Sequence, residues 1–218
     1  IKDRAGLKAA IKRRKKTVYE PVKPEKQLGF VHNNVDCIGC RACEIACKDK
    51  NGLSAGPRFR RVQYVEGGTY PNVYAYKVNV SCNHCAEPAC LPACPTGAIW
   101  KRVDNGIVDI DSTLCIGCRR CEATCPYGAP QWDPEEQIVK KCNLCVDEIE
   151  AGRLPYCVMA CMMRVLDVGP IDLLRLNEYQ TKAVGPYEET VRAVKNFADP
   201  ELTNPSIVFV AHSKGRVD

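Results

Sequence analysis

The run Cys37-Ile-Gly-Cys40-Arg-Ala-Cys43-Glu-Ile-Ala-Cys47 returns almost unchanged as Cys115-Ile-Gly-Cys118-Arg-Arg-Cys121-Glu-Ala-Thr-Cys125. Each copy reads C-x2-C-x2-C-x3-C, a spacing that holds a cubane [4Fe–4S] cluster. Three thiolates so spaced can curl round one face of a cube. The fourth is expected to start a helix that points away, and to serve a neighbouring cluster. The spacing therefore predicts clusters in pairs, with a second ligand group for each run.

Two such groups are present. Cys82-Asn83-x-Cys85 followed by Pro88-x-Cys90-x-x-Ala93-Cys94 is one. Cys142-Asn143-x-Cys145 followed by Pro155-x-Cys157-x-x-Ala160-Cys161 is the other. The two kinds of group alternate along the sequence and use all 16 cysteines. A disulfide framework suits an even cysteine count, but closing rings across two residues gains little loop entropy. Structural zinc takes four ligands, usually as two separated pairs, which leaves the third cysteine of each run surplus. A protein with fewer than four clusters, one of them a three-iron site, is a milder alternative; four full sets of four cysteines speak against it.

Large aliphatic and aromatic residues are too sparse in these 218 residues for one continuous large core. Inorganic clusters are expected to take that place and to carry much of the folding free energy. No apolar run reaches the length of a transmembrane helix, and the first 30 residues lack the apolar segment of a secretory signal. Nothing marks a nucleophile, a phosphate-binding glycine loop or a dinucleotide site, so no catalytic residue is assigned.

In sequence order, residues 1–28 read as a basic arm that either tethers the protein to an acidic surface or anionic lipid, or is solvated. Nucleic acid is a poor reading, since no aromatic residues accompany the charge. Leu28–His32 reads as a strand. Residues 58–66 and 73–80 read as a hairpin divided at Gly67-Gly68. Asp104-Asn-Gly106 is a turn between strands Ala98–Arg102 and Ile107–Ile110. Gly39 and Gly117 stand where the backbone must turn tightly and aim N–H groups at sulfur. Proline follows Cys94 and Cys125 but not Cys47 or Cys161, which is expected to shift local helix starts. His84 reads as a residue outside the ligand set or on the surface. Lys140 and Lys141 either raise the potential of a nearby cluster or are solvated. The tail carries two helical patterns, Ile171–Tyr179 and Tyr187–Ala198, and an apolar strand, Ser206–Val210.

The order and spacing of all four groups, together with Cys82-Asn-His-Cys85, Cys94-Pro95-x-Gly-Ala, Cys125-Pro-Tyr-Gly-Ala129 and Gly169-Pro-Ile-Asp172, resemble the iron–sulfur subunit of dimethyl sulfoxide reductase. More broadly they resemble the four-cluster electron-transfer subunits of the molybdopterin oxidoreductase family. The likeness runs from about Phe30 to the end of the tail. Similar subunits serve formate dehydrogenase, nitrate reductase, and polysulfide and thiosulfate reductases. Many of the formate-dehydrogenase kind carry a C-terminal membrane helix, which has no counterpart in these residues.

The resemblance implies four [4Fe–4S] clusters. Cys37, Cys40, Cys43 and Cys161 would hold the one nearest a molybdenum subunit. Cys142, Cys145, Cys157 and Cys47 would hold the second, and Cys82, Cys85, Cys90 and Cys125 the third. Cys115, Cys118, Cys121 and Cys94 would hold the last, nearest a quinone-reactive membrane subunit. In nitrate-reductase relatives the position of Cys118 is not cysteine and the site is a three-iron cluster; cysteine here implies four irons. The implied partners are a molybdopterin (Mo or W) catalytic subunit and a membrane anchor, which would hold the protein at a membrane on a side the sequence does not fix.

The expected fold class is α+β: two ferredoxin-like double-cluster units, one inserted in the other. The inserted unit spans 81–137, the outer unit 29–80 plus 138–168, and a C-terminal docking extension 169–218. A free-standing polyferredoxin is the rival reading. It calls for an acidic, self-sufficient surface, whereas the net charge is +5. A self-contained enzyme would need an open iron site, and no cysteine is missing to supply one.

Overall fold

The computed structural model describes residues 26–175 and 190–217. Nine strands and five short helices lie among them. In sequence order they are β1 (Leu28–Asn33), α1 (Ala42–Lys50), β2 (Arg60–Thr69), β3 (Asn72–Ser81), β4 (Ile99–Lys101) and β5 (Val108–Ile110). There follow α2 (Arg120–Thr124), β6 (Gln131–Asp133), β7 (Ile138–Lys140), α3 (Val146–Glu150) and α4 (Tyr156–Met159). Then come β8 (Leu166–Pro170), α5 (Ile171–Arg175) and β9 (Ile207–Val210). This is a mixed α and β fold of small sheets, in keeping with a ferredoxin-like architecture.

The main sheet has the order β8-β1-β9. β1 pairs antiparallel with β8 and parallel with β9. Its side chains alternate between two covered faces, as the period of a strand requires. Val31 and Val208 pack with Ile171 and Leu174 of α5 on one face. Phe30, Ile207 and Phe209 join the cysteine-bearing core on the other. Phe209 meets Phe197 edge-on at 5.1 Å, so the tail closes the core through β9.

Residues 190–198, the described part of the second helical pattern of the tail, are not helical. Val191 bridges Phe209, and Val194 bridges Arg216. Thr190, Val191 and Val194 are β-branched and lose rotamer freedom in a helix, while the free side of β9 offers Val191 a strand partner and the residues after β9 offer one to Val194. The first pattern forms α5 over Ile171–Arg175; its remainder lies outside the described residues, as does the basic arm apart from its last three positions.

The hairpin is longer than expected and turns elsewhere. β2 and β3 pair from Arg60↔Ser81 to Thr69↔Asn72, so Gly67 and Gly68 lie within the ladder and the turn is Tyr70-Pro71. A side chain at Gly67 would run into the ring of Tyr74. That glycine makes room for a cross-strand aromatic, which turn statistics do not reveal. The base of the hairpin buries Val62, Val65, Tyr76, Val78 and Val80, while Tyr70 at its tip is 93% exposed.

Candidate metal centres

The two C-x2-C-x2-C runs fold alike. Gly39 and Gly117 take φ of 74° and 69°, and Arg41 and Arg119 both take 60°. A side chain at Gly39 would overlap the Tyr64 hydroxyl, and one at Gly117 the Trp132 ring, so both the backbone angle and the space require glycine. Tyr64 Oη donates to the Gly39 carbonyl at 2.6 Å, pinning the turn to the hairpin.

After each left-handed arginine the backbone enters a helix. Here the sequence reading is corrected: α1 and α2 open one residue before the third cysteine, not at the fourth. Cys43 and Cys47, and likewise Cys121 and Cys125, therefore stand about one turn apart. Pro126 has no N–H and disfavours helix in the residue before it, so α2 stops at Thr124; Lys48 imposes no such stop, and α1 runs on to Lys50.

The cysteines gather in four places. Cys37, Cys40, Cys43 and Cys161 line a cavity of about 350 Å³. Cys82, Cys85, Cys90 and Cys125 line another of about 360 Å³. Cys94, Cys115, Cys118 and Cys121 line a third of about 310 Å³. Cys47, Cys142, Cys145 and Cys157 draw together as the fourth: burial pushes the Cys47 thiol up, and the charges of Cys142, Cys157 and Cys145 add to it. All sixteen thiols are free. At no place do they converge on a point: among the described residues no three His, Cys, Asp or Glu side chains are arranged to hold a single metal ion. Four soft sulfur donors standing round a cavity suit a cluster better than one tetrahedral ion.

The walls carry matching donors. Leu144 N–H reaches Cys142 Sγ at 3.3 Å, Val165 N–H reaches Cys161 at 3.4 Å, and Ala129 and Val139 reach Cys125 and Cys115 at 3.5 Å. Asn79 Nδ2 reaches Cys43 at 3.5 Å. Such bonds favour negative sulfur. Against them, burial pushes Cys85 up to about 12 and Cys142 up to about 11, so metal entry must displace protons. Asn83 and His32, which line the cavities of Cys82 and Cys37, have side-chain polar atoms with no partner among the described residues. The donor sets and these unpaired groups fit four [4Fe–4S] clusters, whose sulfides accept hydrogen bonds.

The four sets form a series. α1 carries Cys43 of one set and Cys47 of the next, and α4 and its end carry Cys157 and Cys161 of the same two. Cys47, Cys142 and Cys82 share one apolar cluster. Cys90 and Cys121 share another, with Cys94 packed against it.

His84 is buried rather than superficial. Its Nδ1 accepts from Val108 N–H at 3.1 Å, and burial first, then Lys141, keeps the ring neutral. Lys140 is neutralised by Asp133 at 2.9 Å and Glu136 at 2.6 Å. Lys141, by contrast, is buried, and donates to the carbonyls of Val108 and Cys142. Sequence reading missed Arg60, Asn79 and Thr203. Arg60 is 1% exposed; its strand phase, two before buried Val62, was the available signal. Thr203 comes from the tail to bond Tyr127 Oη at 2.9 Å and to line the cavity of Cys82; nothing in its sequence neighbourhood marks it.

Fold and donor sets together define a multi-cluster iron–sulfur protein. A family model described as a 4Fe-4S dicluster domain matches residues 73–171. A chain of the anaerobic dimethyl sulfoxide reductase of Escherichia coli (strain K12) is 40% identical over 198 residues, covering 87% of this protein and 91% of that one. The corresponding chain of the Haemophilus influenzae reductase is 39% identical over 202 residues, covering 88% and 93%. A sulfite dehydrogenase subunit of Allochromatium vinosum is 43% identical over 156 residues, covering 62% and 65%. The protein belongs to the family of iron–sulfur subunits of anaerobic dimethyl sulfoxide reductase.

Proposed function

We propose that the protein is the electron relay of a respiratory oxidoreductase, joining a quinone-reactive membrane subunit to a molybdopterin (Mo or W) catalytic subunit. When bound, the clusters supply one-electron uptake and release; bond-making chemistry belongs to the partner. Cys37, Cys40, Cys43 and Cys161 hold the first cluster, and Cys142, Cys145, Cys157 and Cys47 the second. Cys82, Cys85, Cys90 and Cys125 hold the third, and Cys115, Cys118, Cys121 and Cys94 the fourth. The third and fourth sets come wholly from residues 82–125 and the first and second from either side, which supports a unit at about 81–137 inserted into an outer one.

One observation carries this reading. Of the sixteen cysteines only Cys40 and Cys118 are exposed, and they belong to the first and last sets of the series. Exposed apolar side chains stand next to each: Ile38 and Met162 by the first set, Ile116 by the fourth. A relay needs two open ends and an insulated middle. The insulation falls to this protein's residues, which bury every cysteine of the second and third sets except the half-buried Cys125 and aim N–H groups at several of them.

Electrons enter at the fourth set and leave at the first if the partner reduces an S-oxide; a dehydrogenase partner reverses the flow. The more extensive likeness to the dimethyl sulfoxide reductase chains favours the first direction. Among the described residues no helix is long and apolar enough to cross a membrane; the proposed anchor subunit would supply the attachment. Purification from native membranes is expected to bring down a large chain containing about one molybdenum or tungsten atom. An iron-loaded protein that leaves the membranes alone, with no such metal in any associated fraction, would support a free polyferredoxin instead.

A further inference from the structure

We propose that Arg60 and Lys141 are fixed cations built between successive metal centres, Arg60 between the first and second and Lys141 between the second and third, and that they raise the reduction potentials of those centres. The proposal rests on the ligand sets assigned above.

Each charge lies where a cation is hard to place. Arg60 is 1% exposed and Lys141 5%. Among the described residues neither has a carboxylate within the 4.0 Å that defines an ion pair. A buried charge with no counter-charge is strongly unfavourable, so something else must balance these two. Arg60 Nη1 donates to Asn79 Oδ1 at 2.8 Å, and Asn79 in turn donates to Cys43 Sγ at 3.5 Å. The guanidinium rests 4.4 Å from the Phe30 ring, and its Nη2 has no partner among the described residues. Lys141 Nζ is anchored by two carbonyls, neither of which carries a full charge.

The sulfurs are the balancing charge. Arg60 acts on Cys157, Cys142 and Cys47 of the second set and on Cys43 of the first. Lys141 acts on Cys82 and Cys90 of the third set and on Cys142 of the second; Asp109 also bears on it. A four-thiolate cluster is negative and becomes more so by one charge on reduction. A fixed cation beside it therefore favours the reduced form, and net charge is one of the quantities that set its potential. Each hop moves one electron and breaks no bond, so a cation placed between two centres lowers the cost of charge on whichever holds it. Among the described residues the fourth set has no such buried neighbour. Its cavity is lined by Arg119, whose side chain is 57% exposed and paired with Glu122, and solvent screens such a charge.

The test is an EPR-monitored redox titration of the purified complex, with iron and sulfide counted per copy of this protein in the same samples. The fourth centre is identified by its change in Cys118→Ser. In Arg60→Gln the ratio of oxidised to reduced form at fixed poise is expected to rise about tenfold at the first and second centres, which is about 59 mV for one electron. In Lys141→Gln the same rise is expected at the second and third. The second centre thus moves in both variants and the fourth in neither. Arg60→Lys and Lys141→Arg, which keep the charge, are expected to return the ratios towards the parent values. Should Arg60→Gln fail to load iron, Asn79→Asp keeps Arg60 in place and neutralises it with a carboxylate, and the first centre is expected to fall. Fully loaded neutral variants with unmoved potentials would overturn the proposal, as would an equal shift at all four centres. A parent complex with far fewer than about 16 iron atoms per copy would instead overturn the ligand reading beneath it.

Discussion

Cys118→Ser is expected to abolish turnover driven by quinol while sparing turnover driven by an artificial donor that feeds the catalytic subunit. Cys118 is one of four thiols round its cavity and one of only two exposed cysteines. Serine offers a hard, weakly acidic oxygen where a soft thiolate is wanted, so the fourth cluster is lost or converted. Damage should stay local. Cys118 lies in a turn before α2, and the remaining three sets draw their ligands from other residues. The measurement is a pair of assays on one preparation, with the subunits confirmed to be assembled. Loss of both activities would place the fourth set at the catalytic end, or make it structural, and would contradict the order of ends proposed here.

Removing the clusters by chelation under oxidising conditions is expected to unfold most of the protein. The apolar core is divided into four groups, and three of them contain cysteines of the ligand sets. Three cavities of about 310–360 Å³ lie among these thiols. Without the clusters these thiols lose the partner they are packed round, and metal binding is itself folding free energy, large against a typical total stability of about 5–15 kcal/mol. The buried charges of Arg60 and Lys141 would also lose their counter-charge. The β8-β1-β9 sheet, whose packing on α5 involves no thiol, is where residual structure should persist. Circular dichroism and denaturant titration of loaded and stripped protein check this; a stripped protein that keeps the cooperative transition of the loaded one would contradict it.

Much of the site was legible because ligand spacing is a local property. The twin runs predicted twin backbones, and Gly39 and Gly117 take matching left-handed angles. The grouping of cysteines distant in sequence came from resemblance, since spacing alone says only that each run needs a partner. The misreadings have a common cause. Gly67-Gly68 reads as a turn by composition, but Gly67 lies within the ladder and accepts Tyr74 from the opposite strand. The tail segment up to Ala198 reads as a helix by period, but β9 and the residues after it give Val191 and Val194 strand partners. Arg60 has its strand phase, two before buried Val62, as the sole local mark of its burial, and the sulfurs proposed to balance its charge come from other segments. Each case concerns a contact between segments, across one hairpin or farther apart, which local pattern does not carry.

That sixteen cysteines hold four cubane clusters is tested most directly by iron and acid-labile sulfide per copy of this protein, measured on anaerobically purified complex. The expected result is about 16 iron atoms and about 16 sulfides, as four [4Fe–4S] clusters require. Zinc in place of iron, or iron without sulfide, would contradict it.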